Sequence, residues 1–144
     1  MEADDHGRSQ AAAQFESIVE LVAELNAARK AEADLRDADE CTNAAQDRIE
    51  AAETAIRNKA LSVEVRSNWY GLFGDSEVYN EEFRILLCWG GPAVQIVGKL
   101  SEHNEPESAW LEYQDWGILW TTIQQSHADR QILVQFAQTF YFGE

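Results

Sequence analysis

The sequence predicts an α+β fold: an N-terminal helical hairpin, or one long helix, followed by a four-stranded antiparallel meander covered by a C-terminal helix. Three observations predict it. No Gly or Pro interrupts residues 9–60, where Ala, Glu, Arg and Gln dominate, all good helix formers. The composition shifts at Leu61: all five Trp, all four Tyr, both Pro and five of the six Phe lie at or beyond it. Finally, residues 84–100 set two apolar runs around a tight Trp89-Gly90-Gly91-Pro92 break. That places a helical, coiled-coil-like extension in residues 1–60 and an α+β domain in residues 61–144.

Residues 1–8 are polar, carry Gly7 and read as a frayed tail. From Ser9, a plausible N-cap, Phe15, Ile18, Val22 and Leu25 follow at the 3-4-3 spacing of a coiled-coil seam. Ala28, Ala31 and Leu35 continue the seam with smaller residues. Residues 37–43 lack large apolar side chains and hold the cap formers Asp39, Thr42 and Asn43, so a hairpin of 9–37 and 42–60 is favoured over a continuous helix. Ala45, Ile49, Ala52, Ile56 and Ala60 form the second stripe. Such a thin pair cannot bury its own stripe and must pack on the rest of the chain, on a copy or on a partner.

Beyond the shift, Leu61, Val63 and Val65 alternate with Ser62, Glu64 and Arg66, the period of a strand. Residues 71–76 form a loop with two glycines, and its Leu72-Phe73 pair either folds back or touches a partner. Residues 83–89 are nearly continuously apolar, as in a central strand buried on both faces. Gly90-Gly91 suits a two-residue hairpin, and Pro92, with no N–H to donate, suits the first residue of the next strand. Val94, Ile96 and Leu100 then face away from Gln95 and Lys99. Residues 101–107 are a polar turn. Residues 109–113 alternate again, with Trp110 and Glu112 opposite Leu111 and Tyr113. Residues 114–122 are too irregular for a strand. Ser126 with Asp129 makes an approximate capping box for a helix with Ile132, Leu133, Phe136, Ala137 and Phe140 on one face. The aromatic ending Phe140-Tyr141-Phe142 reads as docked.

The formal net charge is −15, and both halves contribute: 14 acids against 7 bases in residues 1–60, 12 against 4 beyond. Phosphate affinity needs clustered Lys and Arg, which excludes direct nucleic-acid binding as the expectation. No stretch of about 18 apolar residues offers a membrane span, and no basic-then-apolar leader opens the chain, so a cytoplasmic protein is expected. The acidity serves solubility or a basic partner surface.

Catalytic constellations are thin. Cys41 and Cys88 lie too far apart for a disulfide framework or zinc site. Cys88 sits mid-strand, away from the helix N-terminus and cationic neighbour that activate a thiol. His6 is in the tail and His127 opens a helix. His103 lies among Glu102, Glu105 and Glu107, but that spacing matches no metal motif. Gly90-Gly91 lacks the Lys-Ser/Thr of a phosphate loop. The expectation is a non-enzyme with no cofactor and no metal. Trp69, Tyr70, Phe73, Trp110, Trp116 and Trp120 cannot all fit inside so small a meander. Aromatics exposed beside carboxylates suit a binding surface.

Three stretches, Ile85-Leu-Leu-Cys-Trp-Gly-Gly-Pro-Ala-Val-Gln-Ile-Val-Gly-Lys-Leu100, Leu111-Glu-Tyr-Gln-Asp-Trp-Gly117 and Phe136-Ala-Gln-Thr-Phe-Tyr-Phe-Gly-Glu144, resemble a group of small phage and prophage accessory proteins. The resemblance covers residues 61–144 and transfers no functional residue. It implies a phage neighbourhood, in which small acidic non-enzymatic proteins act on host defence, anti-CRISPR proteins among them. The resulting expectation is a stoichiometric inhibitor of a bacterial antiviral nucleoprotein complex. It would meet that complex's basic surface with Glu102, Glu105, Glu107, Asp115, Trp116 and Trp120, mimicking nucleic acid. The alternatives are a phage assembly adaptor that homodimerises through residues 9–60, and a small enzyme using Cys88 or the His103 cluster.

Overall fold

A computed structural model describes residues 2–74, 77–90, 92–115 and 119–143, with side chains described from His6 onward. Two helices, α1 (Glu2–Asp37) and α2 (Asn43–Lys59), precede the strands β1 (Ser62–Ser67), β2 (Asn80–Cys88), β3 (Ala93–Leu100), β4 (Pro106–Gln114) and β5 (Thr121–Thr122), and α3 (His127–Ala137) follows. The strands form one antiparallel sheet in the order β1-β2-β3-β4-β5.

The α+β class and the helical hairpin are as expected, but the sheet has five strands, not four. The fifth is a two-residue ladder, Thr121 opposite Tyr113 and Thr122 opposite Glu112, too short to leave an alternation in the sequence. A second correction concerns the tail. Residues 2–8 belong to α1, and Gly7 is buried because its bare backbone lies against the Tyr113 ring. A Cβ there would stand 2.5 Å from Tyr113 Cδ2.

The helix break has a cap that contains no glycine. Asp39 takes a left-handed φ of 55°, Glu40 N–H donates to Leu35 O, and Asp39 N–H donates to Arg36 O. These two bonds make a Schellman motif, with Asp in the position glycine most often fills. Beyond it, Arg48 grips Glu24 through two hydrogen bonds of 2.9 and 2.7 Å, tying α2 to α1.

The seam residues Ile18, Val22 and Leu25 are buried within the chain's own core. That core continues through Ile56, Phe83, Ile85, Ile96, Leu111 and Tyr113 to Leu133 and Phe136. Both α1 and α3 lie over β4, and α2 packs on α1. The sheet alternates accordingly: Phe83, Ile85 and Leu87 are buried while Arg84 is exposed. The second strand is therefore covered on one face, not both. On the other face Leu86, Val97 and Trp110 are half-buried. Gln95 is buried there and donates to Glu112 at 2.8 Å.

Gly98 fixes the register of the central strands. It lies opposite Phe83 and Ala109, and a Cβ would come within 2.0 Å of Ser108 O and 2.6 Å of the Phe83 ring. The Phe83 ring fills the space the glycine leaves, and Phe142 packs against it with centroids 5.1 Å apart. The Asn80 amide donates to Phe142 O at 2.9 Å, so the aromatic ending is docked through Phe140 and Phe142, while Tyr141 between them is exposed. The Ser126 hydroxyl accepts from Asp129 N–H at 3.1 Å, as its capping role requires.

Candidate functional site

The β1–β2 connection is a long loop closed at its neck by one side chain. Asn68 donates from its amide to Trp69 O (2.9 Å) and Glu77 O (3.1 Å), and its Oδ1 accepts from Tyr79 N–H (2.8 Å). The Asn68 backbone N–H donates to Tyr79 O. Three of these four bonds, those to Glu77 and Tyr79, hold the two ends of the loop together, and the apolar residues beyond the neck lie outside the core. Leu72 is 85% and Phe73 91% exposed. Of the two fates the sequence leaves open for this pair, folding back is not the one adopted. Trp69, Tyr70, Val78 and Tyr79 are exposed as well.

Where this loop returns to the sheet it meets the β3–β4 turn, and the two enclose a cleft of about 720 Å³. Glu77, Glu81, Glu102 and Glu107 line it beside Val78, Tyr79 and Lys99. Four carboxylates against one ammonium leave an acidic cleft with an apolar side. The turn is stiffened from within: Asn104 sits at φ 60°, and the Ser101 hydroxyl accepts from His103 N–H and Glu105 N–H at 3.2 and 3.3 Å. A basic side chain entering here would find its charge partner and an aromatic ring together, an arrangement that favours Arg.

The sequence-predicted residues divide between two places. Glu102 and Glu107 share this cleft. Glu105 is exposed and lines a neighbouring groove with His103, Gln138 and Tyr141. Asp115 lies just past the far end of the nine-residue β4, roughly 25 Å along the strand from Glu107 at about 3.3 Å per residue. It is only 6% exposed, close to Gly7 and Tyr113, so it is an interior residue. Trp116 lies outside the described residues, and Trp120 is half-buried beside β5. The cleft residues that sequence reasoning missed are Glu77, Glu81, Val78, Tyr79 and Lys99. Two glutamates flanking an apolar pair close to a strand start are a signal, but nothing local sets that segment against the turn.

The residues considered for chemistry are placed apart from one another. Cys88 is half-buried, donates to Pro92 O at 3.7 Å and meets the Gln10 amide at 3.9 Å. His103 lies 3.5 Å from Glu102 with both side chains in solvent. Among the described residues, no three His, Cys, Asp or Glu side chains converge as metal donors. No helix among them is long and apolar enough to cross a membrane.

No family model, no curated protein and no solved structure matches this chain.

Proposed function

We propose that the chain works by stoichiometric protein binding, seating a Lys- or Arg-bearing surface of its partner in the acidic cleft between residues 77–81 and the β3–β4 turn. The observation that carries this reading is the cleft: Glu77, Glu81, Glu102 and Glu107 around a single Lys99, with Val78 and Tyr79 on the wall. The net charge of −15 would steer a basic partner from a distance, and the clasped loop with Leu72 and Phe73 supplies apolar anchors. Taken with the resemblance of residues 61–144 to phage accessory proteins, the most concrete form of the reading is an inhibitor. It would act in the bacterial cytoplasm, anti-CRISPR fashion, by occupying the basic channel of an antiviral nucleoprotein complex.

Two measurements test it. The first is plating of a targeted phage on cells that carry an active CRISPR-type complex, with and without the chain. Plating should recover with the wild type and fall with Glu102→Lys/Glu107→Lys. The second is binding to purified effector particles. The double reversal should weaken it by about tenfold or more, and added salt should weaken the wild type. Absence of any salt-sensitive complex with effector particles would sink the inhibitor reading. Undiminished binding by the double reversal would move the contact away from this cleft.

A further inference from the structure

The outer edge of the sheet carries a second surface, on strand β1, none of whose residues line the cleft. Strand β1 is the outer strand of the sheet, paired only with β2, and all six of its residues are exposed. On the other border the two-residue β5 pairs with residues 112 and 113 of β4, so among the described residues β1 is the edge strand left open along its whole length. Such an edge is a template for another strand unless it is blunted by Pro, a bulge, a covering element or charges that a second strand cannot match. β1, Ser-Val-Glu-Val-Arg-Ser, has no Pro. Its only irregularity is at the Arg66/Ser67 end. On the helix-bearing side of the sheet Leu61 (62%), Val63 (39%) and Val65 (45%) are left exposed, although Ile85 and Phe83, the direct partners of the two valines, are buried.

We infer that β1 pairs with β1 of a second copy of this chain, antiparallel and centred on Val65, joining two five-stranded sheets into one. The side chains select both the partner and the register. A continuous pleat requires like faces to meet, which restricts the pairing to registers that set even-numbered residues opposite even-numbered ones. Centring on Glu64 would set Glu64 against Glu64, and centring on Arg66 would set Arg66 against Arg66, like charges directly opposed. Centring on Val65 sets each Glu64 against Arg66 of the second copy.

The charges already in place extend the match. Arg84 binds Glu64 at 2.8 Å, Arg66 binds Glu82, and Lys99 lies opposite Glu82 in the next strand. Across the joined edges the row would read Arg84, Glu64, then Arg66, Glu82 and Lys99 of the second copy, alternating in sign throughout. The reverse face would bring Val65 onto Val65 and Val63 onto Ser67. Leu61 would meet Trp69, which is 98% exposed in the single chain. A two-fold axis normal to the sheet produces this, and it closes the edge instead of propagating it.

The test is sedimentation of the full chain as wild type, as Arg66→Glu, as Glu64→Arg, and as an equimolar mixture of the two variants, with circular dichroism confirming that each is folded. The wild type should be in monomer–dimer equilibrium. Each variant places like charges opposite one another in its own dimer, and its dissociation constant should rise by about tenfold or more. In the mixture, the all-acidic edge of the Arg66→Glu chain faces the all-basic edge of the Glu64→Arg chain, so dimers should return. A wild type that stays monomeric at all concentrations, variants that dimerise like wild type, or a mixture that fails to restore the dimer would each overturn the assignment. None of these outcomes bears on the acidic cleft.

Discussion

Gly7 lies inside a helix, where Ala is favoured by about 1 kcal/mol on propensity alone. Here the neighbour decides the sign. Tyr113 is 1% exposed and its ring stands 2.5 Å from where the new methyl would be, and overfilling a tight core costs about 1–3 kcal/mol. Gly7→Ala should therefore lower the urea midpoint, against its propensity. An unchanged or higher midpoint would mean that the first turns of α1 do not pack under β4. Asp39 teaches a related lesson. The helix stop is legible from its cap formers, but its geometry is not, because the left-handed position is filled by Asp, and sequence rules look for Gly there. Asp115 misleads in the same way: a carboxylate in an aromatic stretch reads as surface, and burial depends on what α1 brings across.

At the scale of elements, β3 and the helical hairpin are legible to within a few residues at most boundaries, because their apolar residues recur at strand and helix spacing. β5 and the N-terminal turns of α1 escape a sequence reading because their partners, not their own sequences, order them. The β1–β2 loop makes this point testable. Asn68→Ala removes the three side-chain bonds at the neck, worth about 1 kcal/mol each at most in solvent. Chymotrypsin should then cut faster at Trp69, Tyr70 or Phe73 while far-UV circular dichroism stays unchanged. Equal cutting rates would show that the clasp does not hold the loop. The α1–α2 link should respond to acid. Arg48, hydrogen-bonded to Glu24, holds that carboxyl below its ordinary value of 4.5 and is itself raised. A depressed carboxylate contributes above its unfolded value and loses that contribution as pH falls through its folded one. An NMR titration should place Glu24 below 4.5, and Arg48→Ala should return it to the ordinary value. Identical titrations in both proteins would remove the link.

For the whole molecule, the sequence makes the acidity plain but not its geography. The carboxylates of the β3–β4 turn read as exposed, and they are. Their companions Glu77 and Glu81 come from a segment some 25 residues earlier in the sequence, and only the antiparallel return of β2 beside β3 sets them together. The exposed valines of β1 are equally hard to foresee. Alternation marks a strand, but it does not say that the helices stop short of covering it.

The Asn26 amide bonds Gln135, 109 positions away, and α1 rests on α3. Ile18, Val22 and Leu25 thus acquire their full cover only from residues made much later. At a synthesis rate of about 5–20 residues per second, that interval is about 5–20 s on the ribosome. During it α2 is the first cover available, which gives the Arg48–Glu24 grip a role in the nascent chain beyond its role in the finished protein. Interrupted translation upstream of α3 would leave an oily helix without its lid, a species that chaperones and proteases would meet before any partner does.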